Sequence, residues 1–166
     1  MDRTVIFNEI EIREQMLPYK GKSEFNWLPL ITIDTSTNNL LGINDSAMWV
    51  CGKGNFLHEV ADTRSGCLLT PILKERLVFF VERLKKAVLE KKVPTDILLS
   101  FPFDALMCAG IQGAADAVDS AYDWVDQGYP VSDKVAERFA RRNLRVPKIS
   151  QATYDERIKY ILSLST

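Results

Sequence analysis

The chain has a single histidine, His58, and three isolated cysteines, Cys51, Cys67 and Cys108, with no CxxC spacing among them. One histidine excludes any mechanism that needs two, such as HExxH zinc chemistry. An odd set of scattered cysteines argues against a disulfide framework or a cysteine zinc site and suits a reducing cytoplasm. Glycine-rich phosphate loops are also missing: Gly52-Lys53-Gly54 reads as a turn, and neither a Walker loop nor GxGxxG passes through it. No apolar run approaches the roughly 20 residues of a membrane span. Met1-Asp2-Arg3-Thr4 opens into a mixed polar and apolar segment, so no signal peptide and no membrane partner are expected. The formal net charge is −1, which gives no general attraction to nucleic acid. An electrostatic partner would have to be met by a local patch.

What is present is ordinary globular material. In 166 residues, 46% hydrophobic and 26% charged, the composition predicts one domain over 1–166, β-rich over 1–69 and helical over 70–166. Residues 4–13 alternate imperfectly, with Ile6, Ile10 and Ile12 on one face, and read as a half-buried strand. Residues 27–35 form a second, β-branched strand. Residues 40–43 and 47–51 suggest a hairpin around Asn44-Asp45-Ser46, and 56–60 a returning strand after Gly54-Asn55. The expected fold class is therefore α+β, an N-terminal antiparallel β-meander packed against about four to five C-terminal helices.

The period then changes. Thr70-Pro71 looks like an N-cap followed by proline at the first helical position. Leu73, Leu77, Phe80, Leu84 and Val88 recur at helical spacing, predicting one helix over 71–92 that Pro94 stops. Residues 96–103 are nearly all apolar and must be buried, as strand or short helix. Gly110 and Gly113 lie in a small-residue stretch that permits close helix packing. Ser132 caps a helix over 133–143. Ser150 caps the last one, with Ile149 and Tyr154 as a hydrophobic staple and Ile158, Ile161 and Leu162 facing inward.

The most distinctive feature is an acidic helix over 114–126. Asp116, Asp119, Asp123 and Asp126 fall 3, 4 and 3 residues apart, on one face. Ala115, Val118, Tyr122 and Val125 share that spacing on the side expected to be buried. Aspartate is a poor helix former and like charges at this spacing repel, so the stripe costs local stability. No lysine or arginine occurs between Val93 and Asp133, while Asp96 and Asp104 add negative charge. Lys134, Arg138, Arg141 and Arg145 then form a basic stripe on the next helix. A short connection over 127–131 suggests an antiparallel pair in which Asp126 lies near Lys134, and Asp119 near Arg141 or Arg142. The face is then either neutralised within the chain, free to dock a basic partner with Trp124 as aromatic anchor, or a carboxylate site for a hydrated cation.

A second candidate is Ile33-Asp34-Thr35-Ser36-Thr37-Asn38, an aspartate ending an apolar strand and followed by hydroxyls. It is similar to the DxSxS metal motif of von Willebrand A-type domains, with Asn38 in place of the last serine. It also resembles the first phosphate-loop strand of the actin and sugar-kinase superfamily. Both likenesses imply an α/β continuation that this chain replaces with further short strands. The residues themselves read as an Asx or hydroxyl turn closing a hairpin. His58 alternates with Leu57 and Glu59 as a strand residue, and no nucleophile elbow accompanies it.

Scarce catalytic groups favour a binding or inhibitor protein, with no cofactor and no bound metal expected. Its partner would be a protein with a basic surface, as for a cytoplasmic bacterial immunity protein that occludes a toxin's active site with Asp116, Asp119, Asp123 and Asp126. The competing classes are an enzyme or metal-binding protein built on Asp34, Ser36 and His58, and an oligomer subunit such as a homodimer.

Overall fold

The protein is described by a computed structural model that covers residues 10–21, 23–144, 146 and 149–163. Its first half is a sheet of five antiparallel strands in sequence order: β1 (Leu17–Lys20), β2 (Glu24–Asp34), β3 (Asn39–Asn44), β4 (Trp49–Lys53) and β5 (Phe56–Glu59). The turns are set by residues that tolerate left-handed backbone. Asn38 (φ 54°) turns β2 into β3, and Gly54 (φ 52°) turns β4 into β5. Between β3 and β4 the Asn44 side chain accepts the Ser46 and Met48 amides, which is why a polar residue there is almost fully buried.

The sheet curls. Tyr19 on β1 reaches the β4–β5 turn, donating its hydroxyl to the Asn55 carbonyl (2.9 Å) and accepting the Leu57 amide (3.3 Å). Beneath it Tyr19, Trp27, Val50 and Leu57 form a small cluster of their own. Gly42 makes the curl possible, because a Cβ there would run into the Leu28 carbonyl and the Trp27 ring. The other face carries Leu28, Leu41, Ile43, Trp49 and Cys51 into the main core, which continues through Phe80, Leu106, Met107, Trp124 and Phe139 of the helices.

Two expected elements are corrected. Residues 1–9 lie outside the described residues, and Ile10–Arg13, predicted as strand, form a helical turn, α1. Four residues of alternation cannot distinguish the two periods, and tertiary partners decide: Ile12 is fully buried, and Glu11 pairs with Lys92 at 2.6 Å. The single helix over 71–92 is instead two. After the short helix α2 (Thr63–Gly66), a 3₁₀ segment Cys67–Lys74 contains Pro71 in its interior. Glu75 is then extended (φ −86°, ψ 148°), and α3 runs Leu77–Glu90. The stripe Leu73, Leu77, Phe80, Leu84 and Val88 is nevertheless buried as expected.

The remaining elements are a 3₁₀ segment Thr95–Ser100, α4 (Phe103–Gln112), α5 (Ala115–Asp126), α6 (Asp133–Arg141) and α7 (Gln151–Ser163). The apolar stretch after Asp96 thus resolves into 3₁₀ and helix. Eight of the ten residues of α4 are buried, and α2, α5, α6 and the 3₁₀ segment before α3 all pack on it. Gly110 sits against Leu73 and Ala121, and Gly66 against the Ala105 carbonyl, so small residues set both approaches. Ser132 caps α6 through the Val135 amide, and Ser150 accepts the Thr153 amide at the start of α7. The α+β class holds, with five helices from α3 onward among the described residues. Among the described residues no helix is long and apolar enough to cross a membrane.

Candidate functional site

α5 begins after the break at Gly113 and ends before Gly128, whose φ of 98° suits only glycine. Its buried side is Val118, Ala121 and Trp124, with Tyr122 and Val125 half-buried. Ala115, expected on that side, is exposed, and Ala121 is buried instead, against Gly110 of α4. The helix is held by hydrogen bonds to the interruption at Glu75 that precedes α3. The Trp124 indole donates to the Glu75 carbonyl (2.8 Å), and the Gln127 side chain accepts the Leu77 amide (2.9 Å). Those partners replace the intrahelical bonds that Glu75 gives up. Arg83 completes the junction, binding both Glu75 carboxylate oxygens and donating to the Thr32 carbonyl of β2. Trp124 is fully buried, so it seats the helix from behind and is out of a partner's reach, contrary to its expected role as an anchor.

Asp116, Asp119, Asp123 and Asp126 are all exposed. They form a line about 15 Å long at 1.5 Å per residue. Among the described residues only Asp116 has an ion pair, with Lys74 at 3.5 Å, and both side chains are 67% exposed. Such a pair is worth at most about 1 kcal/mol. The predicted self-neutralising helical pair is not formed among the described residues. α5 and α6 meet through the Tyr122 and Phe139 rings, 4.8 Å apart, and no described ion pair joins them. Each packs on α4, and that turns the basic stripe away. Arg142 donates to the Gln112 and Gly113 carbonyls at the end of α4, where a cation suits the helix dipole. Lys134 and Arg138 act on Cys108 of α4, whose thiol is pushed up by burial and by Asp104. Arg145 lies outside the described residues.

Asp34 closes its own turn. One oxygen accepts the Ser36 amide (2.9 Å) and hydroxyl (2.7 Å), and the other accepts the Thr37 hydroxyl (2.9 Å). The Ser36 hydroxyl and amide, then Thr37, hold this carboxyl below its ordinary range. His58 is exposed on β5 opposite Cys51. It lines a cleft with Glu59, Asp62, Arg64 and Ser65, but Glu59 is held by Asn44, and Asp62 and Ser65 cap α2. Asp34 and His58 stand on strands separated by β3 and β4, roughly 14 Å at the usual strand spacing. The structure therefore does not assemble Asp34, Ser36 and His58 into one site. Among the described residues no three His, Cys, Asp or Glu side chains are grouped to hold a metal.

One cluster went unseen in the sequence. Asp104, in the first turn of α4, accepts the Ser132 hydroxyl on one oxygen (2.9 Å) and the Tyr154 (3.1 Å) and Tyr129 (3.4 Å) hydroxyls on the other. The two tyrosine oxygens are 3.0 Å apart. Burial first, with the Asp104 charge, raises both phenols well above their ordinary range; Tyr154 adds to the rise at Tyr129, while the hydrogen bond with Tyr129 works against it at Tyr154. The available signals were the helix-start aspartate and the capping serine, which separately look routine. Comparison with protein-family models, with curated proteins and with solved structures finds no match to this chain.

Proposed function

We propose that the protein is a non-catalytic binding protein whose α5 face docks a basic surface of another protein. Within that class, the proposed role is that of a cytoplasmic bacterial immunity protein that occludes the active site of a cognate toxin. The observation that carries the reading is the exposed line Asp116, Asp119, Asp123 and Asp126, with one weak cationic neighbour among the described residues. A helix that bears mutual repulsion with one weak counter-charge among the described residues keeps its field available to another molecule. Such a field speeds encounter and selects a cationic partner, and occlusion follows from the bulk of the domain behind it. The rigid seat of α5 on Trp124 and Gln127 supports the same role, since a fixed row of charges binds with less ordering cost than a mobile one.

The test is purification of the complex from the native host. A stoichiometric basic protein partner is expected, its association weakening as salt rises. The double reversal Asp119→Lys/Asp123→Lys abolishes the complex and leaves the thermal midpoint unchanged. Absence of any stoichiometric protein partner, or a complex that survives the reversal intact, defeats the reading. Protection of a cell against a toxin encoded beside this gene separates the immunity role from protein binding in general.

A further inference from the structure

A cavity of about 390 Å³ opens between the start of α4 and one side of α7. That volume falls in the range of small-molecule sites. Leu99, Phe101, Phe103 and Ile158 make its apolar wall, and Asp104 and Tyr154 make its polar floor. The donors at that floor can be counted. Three hydroxyl protons are available, from Tyr129, Tyr154 and Ser132. The Ser132 proton lies on one Asp104 oxygen. In every arrangement of the other two, both tyrosine protons fall inside the triangle formed by Tyr129, Tyr154 and the second Asp104 oxygen. The raised phenols keep those protons in place. What the floor still offers is acceptor capacity alone, on the Asp104 lone pair that three hydroxyls leave over from about four and on the Tyr154 oxygen. The charged groups on the cavity are Asp104, Asp155 and Lys159, so its balance is negative.

We propose that this cavity binds a small primary amine, its ammonium on Asp104 and Tyr154 and its aryl or alkyl body against Leu99, Phe101, Phe103 and Ile158. A ligand with acceptors only finds no spare hydroxyl donor on the floor, and an anion meets two carboxylates against the single Lys159 ammonium at the cavity's side. α5 does not line the cavity, so the inference stands apart from the docking face.

Isothermal titration of the full chain with three probes tests it. 2-Phenylethylammonium carries charge and N–H donors, benzyltrimethylammonium carries the charge without donors, and phenylacetate is the anion. The first binds saturably and about tenfold or more tighter than either other probe, the worth of a hydrogen bond to a charged group. Leu99 is half exposed at the rim. Leu99→Trp fills the cavity without touching the hydroxyl network and abolishes binding at an unchanged melting midpoint. No saturable binding of 2-phenylethylammonium, equal affinity for the three probes, or full affinity in Leu99→Trp overturns the proposal.

Discussion

The aspartates of α5 and Asp104 at the start of α4 belong to the same cation-free stretch of sequence, yet the fold treats them oppositely. The α5 aspartates stand in water with one weak ion pair among the described residues. Asp104 is surrounded by three hydroxyl donors from the approach to α6, its cap and α7. The difference follows from what lies behind each residue. α5 puts Val118, Ala121 and Trp124 into the core and leaves its opposite side to solvent. α4 is buried on nearly every side, so a charge on it must be satisfied from within. The first group faces bulk water, and the second is held by hydroxyls while one side of it lines the cavity beside α7.

The largest effect expected from this contrast is behind the acidic face. Trp124→Ala removes a fully buried indole and its bond to Glu75, and costs about 3–5 kcal/mol in denaturant unfolding. A loss no larger than that of a surface substitution would mean that α5 is not seated on the core. Asp104→Ala comes next. It leaves three hydroxyls facing an emptied position and lowers stability by about 2–4 kcal/mol. A near-neutral result would erase the distinction between the two groups of aspartates.

The sequence carried one side of this comparison and hid the other. The co-facial spacing of Asp116, Asp119, Asp123 and Asp126 is local, and so are the Ser132 cap and the Gly54 turn, so all were legible. The Asp104 cluster joins residues 25 to 50 positions apart, and no short pattern marks it. The same limit explains the helix broken at Glu75. Its hydrophobic stripe was right, but the carbonyl and amide that end it are satisfied by Trp124 and Gln127, about fifty residues later. The α1 turn likewise rests on distant partners, with Ile12 buried in the core and Glu11 paired to Lys92 just past α3. Of the basic stripe, Lys134, Arg138 and Arg141 fall on α6 as expected and Arg145 lies outside the described residues, while the expected neighbour was wrong because α4 meets both helices.

pH sharpens the contrast between satisfied groups. The Tyr129 and Tyr154 phenols are raised in the folded chain, so the unfolded chain loses these protons first as pH rises. Their contribution is complete below about pH 10, the ordinary tyrosine value, and is lost progressively above it. Cys51, pushed up to about 12 by burial, adds the same sign from its ordinary value upward. Tyr154→Phe therefore lowers stability by about 1 kcal/mol at neutral pH and flattens the alkaline fall in a pH series of melts. Asp34 works in the opposite direction. Its lowered carboxyl contributes above about pH 4 and loses that contribution as pH falls, so acid loosens the β2–β3 turn.

The smallest stability effect tests the front of α5. Asp119→Asn/Asp123→Asn removes two charges at i, i+4 spacing without changing shape. Relief of repulsion at that spacing is worth a few tenths of a kcal/mol, and exposed substitutions stay within about 0.5 kcal/mol, so the melting midpoint stays level or rises slightly. A self-neutralised face would lose ion pairs instead and melt lower. The sign of this small change thus decides whether the aspartates have an internal partner, independently of any search for an external one. If they have none, the same variant is also expected to flatten the salt dependence of the proposed complex, because in that proposal the screened attraction resides in these two carboxylates and their neighbours.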